Sequence, residues 1–225
     1  MFRRTLMTAA AVCALVAAPA TAQVTISAVN GQNPYAGPTP TYDFEGASPT
    51  GGAPITGGLV VNSGNGIGAE PWPFASPDNH YWTVGPNGEE NTGPGILDLS
   101  SFAQLGSVSF IWGSIDSYNT LEVLDRSLSG VLGIFTGTSV AAPANGDQSS
   151  PTTNRLVTLH FAGLDQTNIG GLRLTSTGQA FETDNYSVSA VPEPGIWALL
   201  LLGFGFIGAF MRGEKRQKRM RLKLA

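Results

Sequence analysis

The chain is almost free of cysteine. Its 225 residues contain only one, Cys13, which lies in an apolar N-terminal stretch. That stretch is predicted to be removed during export, as argued below, so the mature protein has no cysteine. A disulfide framework, a thiol nucleophile and a cysteine-ligated zinc site are therefore excluded.

Charged side chains are also scarce, at 12% of the chain against a usual share of about 25%. Residues 23–191 hold fourteen Asp and Glu but only three bases, Arg126, Arg155 and Arg173. Nucleic-acid binding depends on clustered Lys and Arg that neutralise phosphates, so this segment is predicted not to bind nucleic acid. The 29 glycines and 15 prolines also disfavour a helical protein.

Motifs of common catalytic sites are missing from the sequence. There is no G-x-S-x-G nucleophile elbow, no G-x-x-x-x-G-K-[ST] phosphate loop and no H-E-x-x-H zinc motif. The two histidines, His80 and His160, are too far apart in sequence for a local metal motif. We expect no enzymatic activity. A secreted glycan hydrolase, which needs two carboxylates at a suitable separation, is the third-ranked alternative.

The N-terminus has the three parts of a secretory signal peptide. Arg3 and Arg4 supply the positive charge, an apolar stretch too short to span a bilayer follows, and Ala20-Thr21-Ala22 offers a small-residue cleavage site. Residues 1–22 are therefore predicted to direct the chain to the secretion translocon and to be removed by signal peptidase. An uncleaved N-terminal anchor is the alternative.

An apolar stretch near the C-terminus predicts a transmembrane helix over residues 195–211, at the lower limit of the length needed to span. The basic residues that follow would stop translocation and remain in the cytoplasm: Arg212, Lys215, Arg216, Lys218 and Arg219. This orientation places residues 23–191 outside the cytoplasm. Residues 220–225 form the end of the cytoplasmic tail.

The residues just before this helix narrow the interpretation. Pro192-Glu193-Pro194 is followed by Trp197-Ala198, then by the glycine-bearing apolar stretch and the basic cluster. In this order, the features of residues 191–219 resemble the PEP-CTERM sorting signal in its PEPxxWA form. Two prolines also hold the backbone extended, as a protease cleft requires. Residues 191–195 are predicted to link the domain to the helix.

This resemblance implies a route and a setting. It implies a Gram-negative bacterium whose exosortase, a membrane protease and transpeptidase, recognises Pro192, Glu193, Pro194 and Trp197. The chain would be a membrane-anchored intermediate first and would then reach the cell surface or the extracellular space. Proteins of this kind are typically exported with extracellular polysaccharide, so we expect a part in biofilm architecture.

Residues 23–190 show short alternating apolar runs separated by turn residues, which predicts one all-β domain, an antiparallel β-sandwich or jelly roll. The predicted strands are 24–29, 41–45, 58–62, 80–84, 107–112, 120–124, 131–135, 155–161, 172–175 and 181–188. In 107–112 and 155–161, every second residue is large and apolar, which marks a core-facing side. Residues 42–45 and 180–185 resemble the two edges of a galactose-binding-like jelly roll.

That jelly-roll resemblance suggests a structural calcium ion. Such modules often share one between the first and last strands, where Asp43, Glu45, Asp184 and Asn185 offer oxygen ligands. The alternative is that these strand-end side chains are simply solvated. Sugar rings would stack on Trp72, Tyr81 and Trp82 if these aromatic rings were exposed. A carbohydrate-binding module with a structural calcium is therefore the second-ranked function.

Overall fold

A computed structural model describes residues 23–32, 34–46, 50–62, 67–71, 80–86, 93–163, 165–191, 195, 199–208 and 212. The predicted signal peptide, residues 1–22, lies outside this part. The strands are β1 (Gln23–Asn30), β2 (Ile55–Thr56), β3 (Leu59–Asn62), β4 (His80–Val84), β5 (Gly95–Asp98), β6 (Leu105–Gly113), β7 (Asn119–Asp125), β8 (Val131–Thr136), β9 (Arg155–Ala162), β10 (Ile169–Ser176) and β11 (Phe181–Ala190). Two single-turn helices interrupt them, α1 (Gly137–Val140) and α2 (Asp165–Asn168).

The strands form two antiparallel sheets. The larger has the order β1-β9-β6-β11-β4-β3, and the smaller has the order β2-β5-β10-β7-β8. One continuous core contains buried side chains from both sheets, which is the arrangement of a β-sandwich. The predicted all-β, antiparallel class is confirmed. The jelly-roll topology stays a prediction.

The largest side chains of the core are aromatic. The ring of Trp112 on β6 stacks on that of Phe181 on β11, with centroids 4.2 Å apart, and Phe110 stacks on Tyr186 at 4.9 Å. Val108, Phe110 and Trp112 are all fully buried, which confirms the predicted core-facing side of this strand. Every second residue of β9 from Val157 to Phe161 is buried as well. Period-two patterning therefore sets the register of the central strands.

The predicted strand at residues 41–45 is wrong. Only Tyr42 pairs, in an isolated bridge to Tyr186 of β11. Phe44 then turns the chain with a φ of 59°, which no extended strand allows, and places its ring in the core. The short strands β2 and β5 were not predicted. β2 has only two residues, and in β5 the two large apolar residues, Ile96 and Leu97, are adjacent rather than alternating.

Two irregular segments, 38–39 and 67–71, contact the side of the six-stranded sheet that points away from the core. We call this side the outer face. The hydroxyl of Ser187 donates to the carbonyl oxygens of Pro38 and Thr39 at 3.0 and 2.9 Å. Pro71 packs so closely on Gly113 that a Cβ there would lie 2.8 Å from its ring. Outer-face side chains of β11 are therefore buried under loops, whereas Thr25, Ser27 and His160 on β1 and β9 stay exposed.

The domain begins and ends at the same end of the six-stranded sheet. Ala190 pairs with Leu105, two residues before the Ser107–His160 pair, and Ala162 pairs with Gln23. Two strands separate β1 from β11, so the two ends lie roughly 14 Å apart laterally. Val191, the first residue of the predicted linker, is still bonded to the domain, since its N–H donates to Gln104 O at 3.2 Å.

The side chain of Arg126 links two turns at this end of the sheet by hydrogen bonds. Its guanidinium donates to the carbonyl oxygens of Ser100 and Phe102 at 2.8 and 2.9 Å, and to Thr167 at 3.1 Å. These bonds join the turn before β6 to the turn before β10. A charged donor shared among several carbonyls is stronger than a neutral one, although solvent exposure weakens it.

Replacing Arg126 by alanine is expected to lower the free energy of unfolding by about 1 kcal/mol. The four carbonyls of Ser100, Phe102, Ala103 and Thr167 lose a charged donor but stay open to water. Urea unfolding followed by tryptophan fluorescence measures the change. The free energy of unfolding of Arg126→Lys is expected to lie between those of the natural domain and of Arg126→Ala, because lysine keeps the charge but cannot reach several carbonyls at once. A midpoint that Arg126→Ala leaves unchanged would show that the turns are held by other contacts.

Candidate functional site

Strand β11 places two acidic side chains next to each other on the outer face. Glu182 and Asp184 are two residues apart, so they point to the same side of the sheet, opposite Phe181 in the core. The two carboxyl groups are 3% and 4% exposed at the residue level. Buried carboxyl groups are rare unless they are paired, so this position is chemically unusual.

Glu182 is held from above by the segment 67–71. Its Oε1 accepts the N–H of Ala69 at 3.0 Å, while Oε2 has no hydrogen-bond partner within the described part of the chain. Burial is the main cause that raises the pKa of Glu182 to about 8, and the charge of Asp116 adds to it. Burial therefore favours the protonated form of this side chain in the folded domain.

Asp184 is perturbed in the same direction. Burial raises the pKa of Asp184 well above its ordinary value, and the charges of Glu45, Asp43 and Glu70 raise it further. One hydrogen bond opposes them, from the N–H of Asn185 to Oδ1 at 2.7 Å. Asn185 sits at an irregularity in the pairing with β6 and has a φ of 54°, a conformation that asparagine tolerates.

The rest of this group comes from the covering loops and from β4. His80 Nδ1 lies 3.0 Å from Glu45 Oε2, and the His80 N–H donates to Glu45 Oε1 at 3.2 Å. Burial, followed by the charge of Glu45, raises the pKa of Glu70. We call Glu45, Glu70, Glu182 and Asp184 the outer-face carboxyl cluster. Burial raises the pKa of Glu182, Asp184 and Glu70, and nearby acidic groups raise each of them further.

The predicted calcium ligands come together only in part. Asp43 and Glu45 act electrostatically on Asp184, as the prediction requires. Among the residues that the structure describes, however, no three or more His, Cys, Asp or Glu side chains are arranged to hold a metal ion. Calcium binding at these residues stays a prediction. Melting in calcium and in chelator would test it.

Sequence reasoning missed Glu70 and Glu182 in this cluster. The signal for Glu182 was available, because strand 181–188 was predicted and Glu182 alternates with the core residue Phe181. Nothing local indicated Glu70, which reaches the sheet through a loop. Its place depends on tertiary contacts that no short window contains.

Two of the three predicted sugar-stacking residues are wrong. Tyr81 is 1% exposed, and Trp82 is fully buried among Phe44 and Tyr186. The Trp82 N–H donates to Gly57 O at 3.1 Å, so its polar edge is also satisfied inside. Rings without exposed faces cannot stack on a glycan. Trp72 lies outside the described residues.

Most of the predicted sorting residues also lie outside the described part: Pro192, Glu193, Pro194, Trp197, Lys215, Arg216, Lys218 and Arg219. Arg212 is described, in helical conformation and exposed. Residues 199–208 are helical, and Leu199, Phe204 and Phe206 there are 65–75% exposed. Among the helices in the described part of the chain, none is both long and apolar enough to cross a membrane.

Comparison with known proteins gives a match for the segment that begins at the last residue of β11. A family model for the PEP-CTERM protein-sorting motif matches residues 190–216. The chain therefore carries this motif, as its sequence predicted. The motif supports an exported protein that is targeted by an exosortase and passes through a membrane-anchored intermediate to the surface. No curated protein and no solved structure matches the chain.

Proposed function

We propose that this chain is a non-enzymatic surface or extracellular-matrix protein of a Gram-negative cell. Signal peptidase removes residues 1–22, and exosortase acts at Pro192-Glu193-Pro194 to remove the C-terminal helix and the basic tail. The β-sandwich domain then works outside, associated with extracellular polysaccharide. The observation that carries the proposal is the sorting motif at residues 190–216, directly behind the last strand.

The C-terminal helix supports the anchored step. Large apolar side chains from Leu199 to Ile207 are 47–75% exposed. A contiguous apolar surface of this kind is unfavourable in water and is typical of contact with lipid or protein. The basic residues that follow would hold their end of the helix in the cytoplasm.

The position of the two domain ends supports the same route. Gln23 and Ala190 lie at one end of the six-stranded sheet, two strands apart. Before cleavage, the signal peptide and the C-terminal helix can therefore both enter the membrane while the folded domain lies on one side.

The proposed association with polysaccharide rests on the resemblance to proteins with this sorting signal, which are typically exported with extracellular polysaccharide. The charge composition of the domain is compatible with it. Fourteen acids against three bases keep the domain away from anionic lipid and nucleic acid. The buried aromatic rings show that binding through exposed Tyr81 or Trp82 is not its mechanism.

The intact mass of the protein that the native host releases to the outside of its cells tests the proposal. The expected mass is that of a chain from Gln23 to the region 192–195, with or without an added group. Recovery from the inner membrane with the helix and tail still attached would contradict exosortase processing. The protein would then be an anchored periplasmic domain.

A further inference from the structure

Strand β1 forms an open edge of the six-stranded sheet. Its residues pair with β9 in one continuous register, and no other described strand pairs with it. The strand contains no charged residue and no proline, and its register shows no irregularity. Proteins normally protect a sheet edge by charge, proline, a bulge or short length, because the free backbone groups of an edge otherwise bind another strand. β1 has none of these protections.

The other sheet edges in the described part of the sandwich are each protected. β2 has two residues and β3 has four, so neither offers a long row of free backbone groups. The pairing of β8 with β7 shifts in register between Val123 and Leu124, and such an irregularity bends an edge strand. β1, with eight residues, is therefore the long and regular edge of this domain.

A hydrogen bond just beyond β1 shows which of its backbone groups are free. The Gly31 N–H donates to Asn154 O at 2.9 Å, so these two residues form a hydrogen-bonded pair. Hydrogen-bonded and non-hydrogen-bonded pairs alternate along an antiparallel ladder. Val24, Ile26 and Ala28 therefore point their N–H and C=O groups away from β9, toward the open edge.

The surroundings leave this edge accessible. Ala28 O accepts a hydrogen bond from Arg155 Nη2 at 2.8 Å, but a carbonyl oxygen has a second lone pair for another donor. β8 approaches β1 from the core side, where a Cβ on Gly133 would lie 3.4 Å from Val24 Cβ. Val24, Ile26 and Ala28 nevertheless stay partly exposed.

We propose that β1 pairs antiparallel with β1 of a second copy of this chain, which joins two six-stranded sheets into one. The edge requires an extended, uncharged strand with free groups at the same spacing. β1 of another copy meets this requirement without any unfolding. A two-fold axis at Ile26 places Ile26 opposite Ile26 and Val24 opposite Ala28, so that free groups face free groups. This association goes beyond the proposed function and does not depend on exosortase processing.

The outer face beside β1 leaves room for the second sheet. Thr25 and Ser27 are exposed there, whereas the covering segments 38–39 and 67–71 contact β4, β6 and β11. In the paired register, Thr25 lies opposite Ser27 of the other copy, and such hydroxyl pairs stabilise adjacent strands. The contact is smaller than a standard interface of about 800 Å² per partner, so the dimer is expected to form at high protein concentration.

Charge exchange on β1 tests the pairing in the protein recovered from its native host. Thr25→Glu/Ser27→Glu places acid opposite acid in the proposed register, and Thr25→Lys/Ser27→Lys places base opposite base. Sedimentation equilibrium from about 1 μM to about 1 mM gives the dissociation constant. We expect the natural chain to approach twice its monomer mass and each variant to associate at least about tenfold more weakly. An equimolar mixture of the two variants should recover the natural affinity, since Glu then lies opposite Lys.

The matched control is Thr177→Glu/Gln179→Glu, which adds two acids at exposed positions before β11 and should dimerise like the natural chain. Thermal melting of each variant confirms that the domain is intact. A natural chain that stays monomeric at the highest concentration would overturn the proposal. A Glu variant that associates like the natural chain would overturn it too, because another surface would then join the copies.

The mixture decides the identity of the partner strand. Two weakened variants whose mixture does not recover would also overturn the proposal, since β1 would then not lie opposite β1. Failure of exosortase processing is distinguishable from all these outcomes, because the intact mass would show the helix and tail. The same charge exchange is then measured in one detergent for every chain.

Discussion

Replacing Glu182 by glutamine is expected to make the domain more stable than the natural sequence at about pH 8.5, and nearly equal to it at about pH 4. In the natural domain, the carboxyl group must stay protonated under the loop at 67–71, where Oε2 has no hydrogen-bond partner within the described chain. Glutamine needs no proton to remain neutral. Its amide oxygen can still accept the N–H of Ala69.

The direction follows from where the proton is held. The pKa of Glu182 is about 8 in the folded domain and 4.5 in the unfolded chain, so the folded state keeps a proton that the unfolded state releases between these values. The stabilising contribution is complete below about pH 4.5 and is lost as the pH rises through about 8. Each unit of pKa difference corresponds to about 1.4 kcal/mol, so the total loss is several kcal/mol.

Urea unfolding of residues 23–190, which contain all eleven observed strands, measures this effect across the pH range. Asp184→Asn should act in the same direction, because burial also raises the pKa of Asp184. Glu122→Gln is the matched control, since Glu122 forms an ion pair with Arg173. It should destabilise the domain rather than stabilise it at high pH. A natural domain as stable at pH 8.5 as at pH 4 would contradict buried, protonated carboxyl groups.

The central strands of this fold could be predicted because their core residues recur at period two. Strands β4, β6, β9 and β11 follow that rule, and each was found within three residues of its observed bounds. The short strands β2 and β5 could not be found in this way. Their two and four residues are fixed by pairing with each other and with β10, which only the folded sheet provides.

In the candidate site, too, some residues could be predicted from the sequence and others could not. Asp184 was predicted as a functional residue from its position on the last strand, and its neighbours Asp43 and Glu45 from a loop taken to be a strand. The loops over the outer face, which bury Glu182 and bring in Glu70, carry no periodic signal. Alternation along β4 places Trp82 in the core and would leave Tyr81 in water. The covering segments bury Tyr81 as well, so neither ring is exposed.

Replacing Glu193 by alanine is expected to abolish processing, so that the chain keeps its helix and tail and stays in the inner membrane. The acidic side chain stands between two prolines that deny the backbone two N–H donors, so recognition must depend strongly on side chains. A polar group that a protease subsite is built to pair with leaves that subsite unsatisfied when it is lost, which can reduce turnover by about 10⁴-fold or more.

The tail offers a matched control for this substitution. Glu214→Ala removes one carboxylate from the same 190–216 motif, but on the other side of the predicted helix. It should leave processing unchanged, and it slightly strengthens the positive charge that fixes orientation. Intact masses of membrane and extracellular fractions distinguish the variants directly. Normal release of Glu193→Ala would show that the exosortase does not recognise the carboxylate of Glu193. Pro192 and Pro194 would then be the residues to substitute next.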